Sequence, residues 1–174
     1  GLLGGIIVGG GLGLLHAIWC IEWEANQIVS GIAINIVAIG LAYVVPHSVW
    51  GTRGSSVSVP GMDPWTLTFL MIAAVVIIQI ALFKSLWGLR LRTTGDRPEA
   101  VDTAGGNVHR IRYAAVILNG ILCGLAGAFL LGYNGRFVQG MVAGRGFIGI
   151  AAMVVGGYVP IWAFGSAYLF GFVF

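Results

Sequence analysis

The chain has 174 residues, of which 58% are hydrophobic and only 9% charged, and its mean hydropathy is +0.95. A soluble domain carries about 25% charged residues, so a water-facing surface is excluded and the solvent is lipid. Nine Lys plus Arg against six Asp plus Glu leave a formal net charge of +3; these basic residues sit beside apolar stretches and not on a broad face, which argues against a nucleic-acid partner.

Charges mark where the chain leaves the bilayer. Residues 1–21, 25–52, 64–83, 113–135 and 146–174 carry none. A spanning helix needs about 20 predominantly apolar residues, which predicts helices near 2–20, 28–45, 66–84 and 112–132. Gly156, Gly157 and Pro160 interrupt the last stretch and predict two pieces, 146–156 and 160–174. The first is short for a span and is expected to be re-entrant or broken, an arrangement tolerated only where protein or a cavity covers the backbone. The fold class expected is an all-α polytopic transmembrane bundle. Gly1 and Phe174 both lie inside apolar runs, so 1–174 reads as a partial transmembrane domain truncated at both ends.

Six of the nine basic residues lie between Lys84 and Arg112, and the positive-inside rule makes this loop cytoplasmic. The loop 46–65 then faces outside, with Trp50 and Trp65 at the interface, while Glu22 and Glu24 fall inside. Small residues recur every four positions at Gly1, Gly5, Gly9 and Gly13, at Gly120, Gly124 and Ala128, and at Ala163, Ala167 and Gly171. Lipid gives no hydrophobic drive for helix association, so such stripes are read as helix–helix seams.

The charged segment is internally ordered. Asp96 and Glu99 have capping-box spacing, Pro98 fits a first helical turn, Gly105 and Gly106 stop a helix, and Asn107 caps the next. This predicts a short helix near 97–104 inside an 85–111 cytoplasmic loop. Here Glu99-Ala100, with Gly105 six residues after Glu99, resembles the E-A-A-x-x-x-G loop of ABC importer permeases. Val101 stands at the third position in place of Ala. The stretches at 24–35, 95–113 and 143–152 resemble permeases serving ribose-like sugars, branched-chain amino acids and nucleosides, most of all the nucleoside or simple-sugar branch. The resemblance implies a coupling role for Asp96, Glu99, Ala100 and Gly105 and a plasma (inner) membrane location. It also implies ABC ATPase subunits that hold the ATP, a second permease subunit in a homo- or heterodimer, and an extracytoplasmic substrate-binding protein. The plainer reading of the loop is a topology signal that meets lipid headgroups.

No phosphate-binding G-x-x-x-x-G-K-[ST] occurs, so ATP hydrolysis is not expected in this chain. No carboxylate lies well inside a span, which argues against an ion-coupled transporter. His16, His47 and His109 lack metal-ligand spacing, no nucleophile–base pair presents itself, and Cys20 and Cys123 read as small buried hydrophobes. No cofactor or metal is expected. Asn35, Gln79 and Asn119 lie within spans, where an unpaired amide costs about 2–7 kcal/mol. Taken singly, each reads as an interhelical hydrogen-bonding group. The functional reading is that one or more of them line a polar translocation path, Asn119 first and Asn35 with it. Asn26 and Gln27 are placed at the cytoplasmic mouth, and Phe147 is placed to stack on a base or sugar. The competing function class is a passive channel or a secondary transporter subunit without an ATPase.

Overall fold

A computed structural model describes every residue except 1, 52–54, 57, 59, 60, 62 and 174. Helix α1 (Leu2–Ala17) passes directly into a π-helical turn (Ile18–Glu22). There follow α2 (Gln27–Trp50), α3 (Pro64–Lys84), α4 (Leu86–Asp96), α5 (Pro98–Thr103), α6 (Val108–Asn134), α7 (Arg145–Val155) and α8 (Pro160–Val173). Among the described residues, four stretches are long and apolar enough to cross a membrane: Leu2–Glu22, Gln27–Val49, Trp65–Lys84 and Val108–Asn134. These are the four expected spans, and the chain is an all-α polytopic membrane bundle.

The α1–α6 pair is the best-packed part of the bundle. The helices run antiparallel, with Gly5 against Gly124 and Ala128, Gly9 against Gly120 and Gly124, and Gly13 against Val116 and Gly120. A Cβ on Gly5 would lie 2.5 Å from the Gly124 carbonyl oxygen, and one on Gly13 would lie 3.0 Å from that of Val116. Two of the expected stripes therefore meet each other; Gly1 lies outside the described residues. The third stripe does not form a seam. Ala167 and Gly171 are exposed, and α8 instead buries Ser166 while packing on α7 and α3. A small-residue row marks a surface able to pack, and which face is used is set by the neighbour.

Helix α2 runs five residues past its expected end at 45. Pro46 lies inside it, and the helix stops only at Gly51, whose φ of 64° and N–H to the His47 carbonyl close the last turn. The connection to α3 is correspondingly shorter than expected. Among the described helices α2 packs only on α1 and the π-helical turn, while Pro46 near its far end is buried.

Helix α4 was not expected. It forms because Ser85 breaks the chain direction in extended conformation and then caps the new helix, accepting from the Gly88 N–H at 3.0 Å while donating to the Ala81 carbonyl. Gly88 is buried in the elbow, where a Cβ would meet the Ala81 and Leu82 carbonyls. Arg92 lies over the Phe83 ring, 4.5 Å from its centroid, and fixes α4 against the end of α3.

Helix α7 has 11 residues, about 16 Å of rise, which cannot cross a hydrocarbon core of about 30 Å. The chain turns at 156–159 and returns as α8, as the glycine–proline cluster predicts. Every N–H from Gly156 to Val159 finds a carbonyl at 2.9–3.2 Å, so the turn exposes no free donor to lipid.

Candidate functional site

Two regions hold the residues singled out in the sequence. The first is the charged end. Helix α5 spans Pro98–Thr103, within the expected 97–104, with Val101 buried beneath it and Glu99, Ala100 and Asp102 exposed. Its stop is the one expected. Gly105 has φ 75°, a left-handed conformation that disfavours any side chain, and the Gly105 and Gly106 N–H groups donate to Asp102 and Val101 at 3.0 and 2.8 Å. A Cβ on Gly106 would lie 2.6 Å from Val101 Cγ1. Val101 therefore fills the space that Gly106 leaves, which accounts for an apolar residue larger than Ala at that position. Asn107 caps α6 as expected, accepting from the Arg110 N–H at 3.0 Å.

The capping box is corrected. Asp96 is the last residue of α4, and Arg97 occupies the N-cap of α5 with no side-chain cap bond. The carboxylate of Asp96 lies one residue too early because α4 runs up to it. Asp96 and Glu99 nonetheless line the same shallow hollow, along with Arg97, Pro98, Ala100 and Thr103.

The second region is a cleft of about 720 Å³ bounded by α1, α2 and α6. Asn35 of α2 and Asn119 of α6 both line it, and both are exposed to it. Its remaining walls are mostly glycine and aliphatic side chains, so the two amides and His16 are its main side-chain hydrogen-bonding groups. His16 Nδ1 lies 2.9 Å from Ser30 Oγ, joining α1 to the base of α2, and Cys20 Sγ lies 3.7 Å from the same ring. His16 thus bonds to the next helix.

Asn26, Gln27 and Phe147 do not line this cleft. Asn26 caps α2, its Oδ1 accepting from Ile28 and Val29 at 2.9 and 3.4 Å, a local role that Asn, Asp, Ser and Thr serve at helix starts. Gln27 begins α2, and Phe147 is exposed in the first turn of α7. Gln79 departs from the interhelical pairing expected of it: its Oε1 is buried without a partner among the described residues.

Among the contributors to the cleft that sequence reasoning missed are Cys123, Gly127, Phe137 and Met141. Cys123 and Gly127 follow Asn119 at four-residue intervals on α6, a spacing that places them on its face. Phe137 and Met141 come from the connection between α6 and α7, and nothing local marks them. They are held from outside: the Ser56 N–H donates to the Phe137 carbonyl and the Phe137 N–H to Ser56 Oγ, each at 3.0 Å. Val138 forms an isolated antiparallel bridge with Ser55.

Comparison with known proteins gives this geometry a family. A guanosine ABC transporter permease protein of Bacillus subtilis, NupQ, is 33% identical over 98% of this chain and 60% of its own length. A nucleoside ABC transporter permease protein of Lactococcus lactis, NupC, is 36% identical over 98% of this chain and 60% of its own. A putative glucose ABC transporter permease protein of Haloferax volcanii, TsgC13, is 32% identical over 96% and 56%. The chain thus spans about three fifths of the length of the curated relatives it matches. No solved structure matches it. The family model described as "Branched-chain amino acid transport system / permease component" matches residues 1–174, and the chain belongs to that family of permease components.

Proposed function

We propose that the chain is the transmembrane permease part of an ATP-driven importer for nucleosides or simple sugars. The observation that carries this reading is the convergence of Asn35 and Asn119, from two different helices, on one cleft. A nucleoside or sugar presents hydroxyls and ring nitrogens that two amides and an imidazole can contact, in an otherwise apolar, concave site. The names of the first two relatives above support the nucleoside class.

Residues 85–111 serve as the coupling segment on the cytoplasmic side of an inner membrane. ATP is bound and hydrolysed by a separate ATPase, which grips α5 through Asp96, Glu99, Ala100 and Gly105. Force applied there enters the membrane through α6, because only Ala104–Asn107 separate the two helices. A second permease subunit and an extracytoplasmic binding protein complete the assembly. Asn26 and Gln27 stand at the inner mouth of the path, and Phe147 stacks on substrate arriving from outside.

Introducing Glu99→Arg together with Gly105→Trp tests the coupling role in the assembled transporter. Uptake is expected to disappear while membrane abundance stays normal. Wild-type uptake in that variant removes α5 from the mechanism. Uptake that persists without ATP favours the channel or secondary-transporter class instead.

A further inference from the structure

One long-range hydrogen bond at the charged end joins α6 to the elbow between α1 and α2. Tyr113 Oη donates to Glu22 Oε1 at 3.0 Å across 91 positions of sequence. Tyr113 lies in the second turn of α6, shortly after α5 and the Gly105–Gly106 turn. Glu22 is the last residue of the π-helical turn. Its neighbour Glu24 has φ 49°, and Trp23 closes back on the Ile18 carbonyl at 3.3 Å. This elbow is the irregular piece of helix at that end. Single π-turns are uncommon and cluster at functional sites, and a left-handed non-glycine residue stores about 1–3 kcal/mol.

The elbow matters because α2 hangs from it. Helix α2 forms one wall of the cleft through Gly31, Ile34, Asn35 and Ala38, and among the described helices it packs only on α1 and the π-helical turn. Its 24 residues make an arm of about 36 Å, so a small rotation at the base moves its far end by several times more. By contrast, α1 and α6 are locked together by backbone contact and move as one body.

We infer that Tyr113–Glu22 is the brace that transmits motion of the α6 base to α2, making Tyr113 and Glu22 positioning residues for gating of the cleft. This rests on the importer reading above. With the brace in place, a push on α5 carries the elbow with α6 and swings α2. Without it, the π-turn absorbs the displacement, and ATP is hydrolysed without moving the cleft wall.

The test uses the assembled transporter in proteoliposomes, with radiolabelled guanosine, ribose and leucine as probes. The readouts are substrate taken up per ATP hydrolysed and the effect of ATP on labelling of Cys123, a cleft residue, by a charged maleimide. The second readout needs no substrate. Tyr113→Phe is expected to lower the uptake-to-ATP ratio about three- to tenfold, the range one hydrogen bond spans, and to blunt the ATP effect on Cys123. ATPase turnover and membrane abundance stay near wild type. Glu22→Gln, whose amide oxygen still accepts, retains most of the ratio, whereas Glu22→Ala loses it. The double variant Tyr113→Phe/Glu22→Ala is no worse than either single loss. A wild-type ratio and a wild-type Cys123 response in Tyr113→Phe overturn the brace, as do additive losses in the double variant. Wild-type transporter that takes up a probe with ATP depleted overturns the importer reading, and the brace falls with it.

Discussion

The α1–α6 pair and helix α2 are both rich in apolar residues and both border the cleft, but they are held in different ways. Along α1–α6, glycines let two backbones touch over about two and a half turns, from Gly5 to Gly13. On α2, Gly31 and Gly40 have nothing within 4 Å of where a Cβ would be, and the helix is fastened to α1 by the His16–Ser30 bond. The same residue type therefore serves packing on one helix and stands clear on the other. In lipid, where apolar surface gives no drive for association, close backbone approach decides which helices move together. One wall of the cleft is a backbone-to-backbone seam; the other, in the brace proposed above, is hinged.

The contrast is broken most severely at the seam. Gly9→Val places side-chain atoms into the Gly120 carbonyl and the Gly124 backbone. Overpacking of this kind costs about 3 kcal/mol or more, and membrane abundance and thermal stability in detergent are expected to collapse together. A well-behaved Gly9→Val protein would mean that the two helices are not in backbone contact. At the charged end, Gly106→Ala crowds Val101 and is expected to cost about 1 kcal/mol of stability, toward the low end of overpacking penalties. Adding Val101→Ala should recover most of that loss in the same melting experiment. No recovery would show that Val101 does not fill the Gly106 hollow. The smallest effect belongs to α2. Gly31→Ala and Gly40→Ala meet open space and are expected to be neutral or to stabilise by about 0.5–1 kcal/mol each through helix propensity. Marked destabilisation would place α2 in a seam of its own.

Much of this organisation was legible in the sequence because its causes are local. Charge-free runs locate the spans, four-residue glycine spacing locates the α1–α6 seam, and Gly105 and Asn107 end one helix and begin another for reasons of φ and side-chain capping. Other features depend on neighbours. Helix α4 contains Gly88 and Gly95 and three charged side chains, Arg90, Arg92 and Asp96, so it reads as loop until the Ser85 elbow is seen. Asp96 looks like a cap only if α4 is overlooked. The Ala163–Ala167–Gly171 row has seam spacing, but α3 and α7 meet another face of α8. Of the amides, Asn35 and Asn119 carry no local sign that they share a cleft, and Phe137 and Met141 reach it from an irregular segment with no periodicity at all.

The rigid and hinged walls can be told apart by distance measurement across each. Spin labels on Leu3→Cys and Leu118→Cys span α1 and α6, and labels on Val44→Cys and Tyr133→Cys span α2 and α6. Both pairs would be measured in the assembled transporter, with its other cysteines replaced by Ala. On going from the ATP-free to the ATP-bound state, the α1–α6 distance is expected to stay fixed while the α2–α6 distribution shifts by several ångströms. An unchanged α2–α6 distance, or an equal shift in both pairs, would contradict a cleft gated by α2.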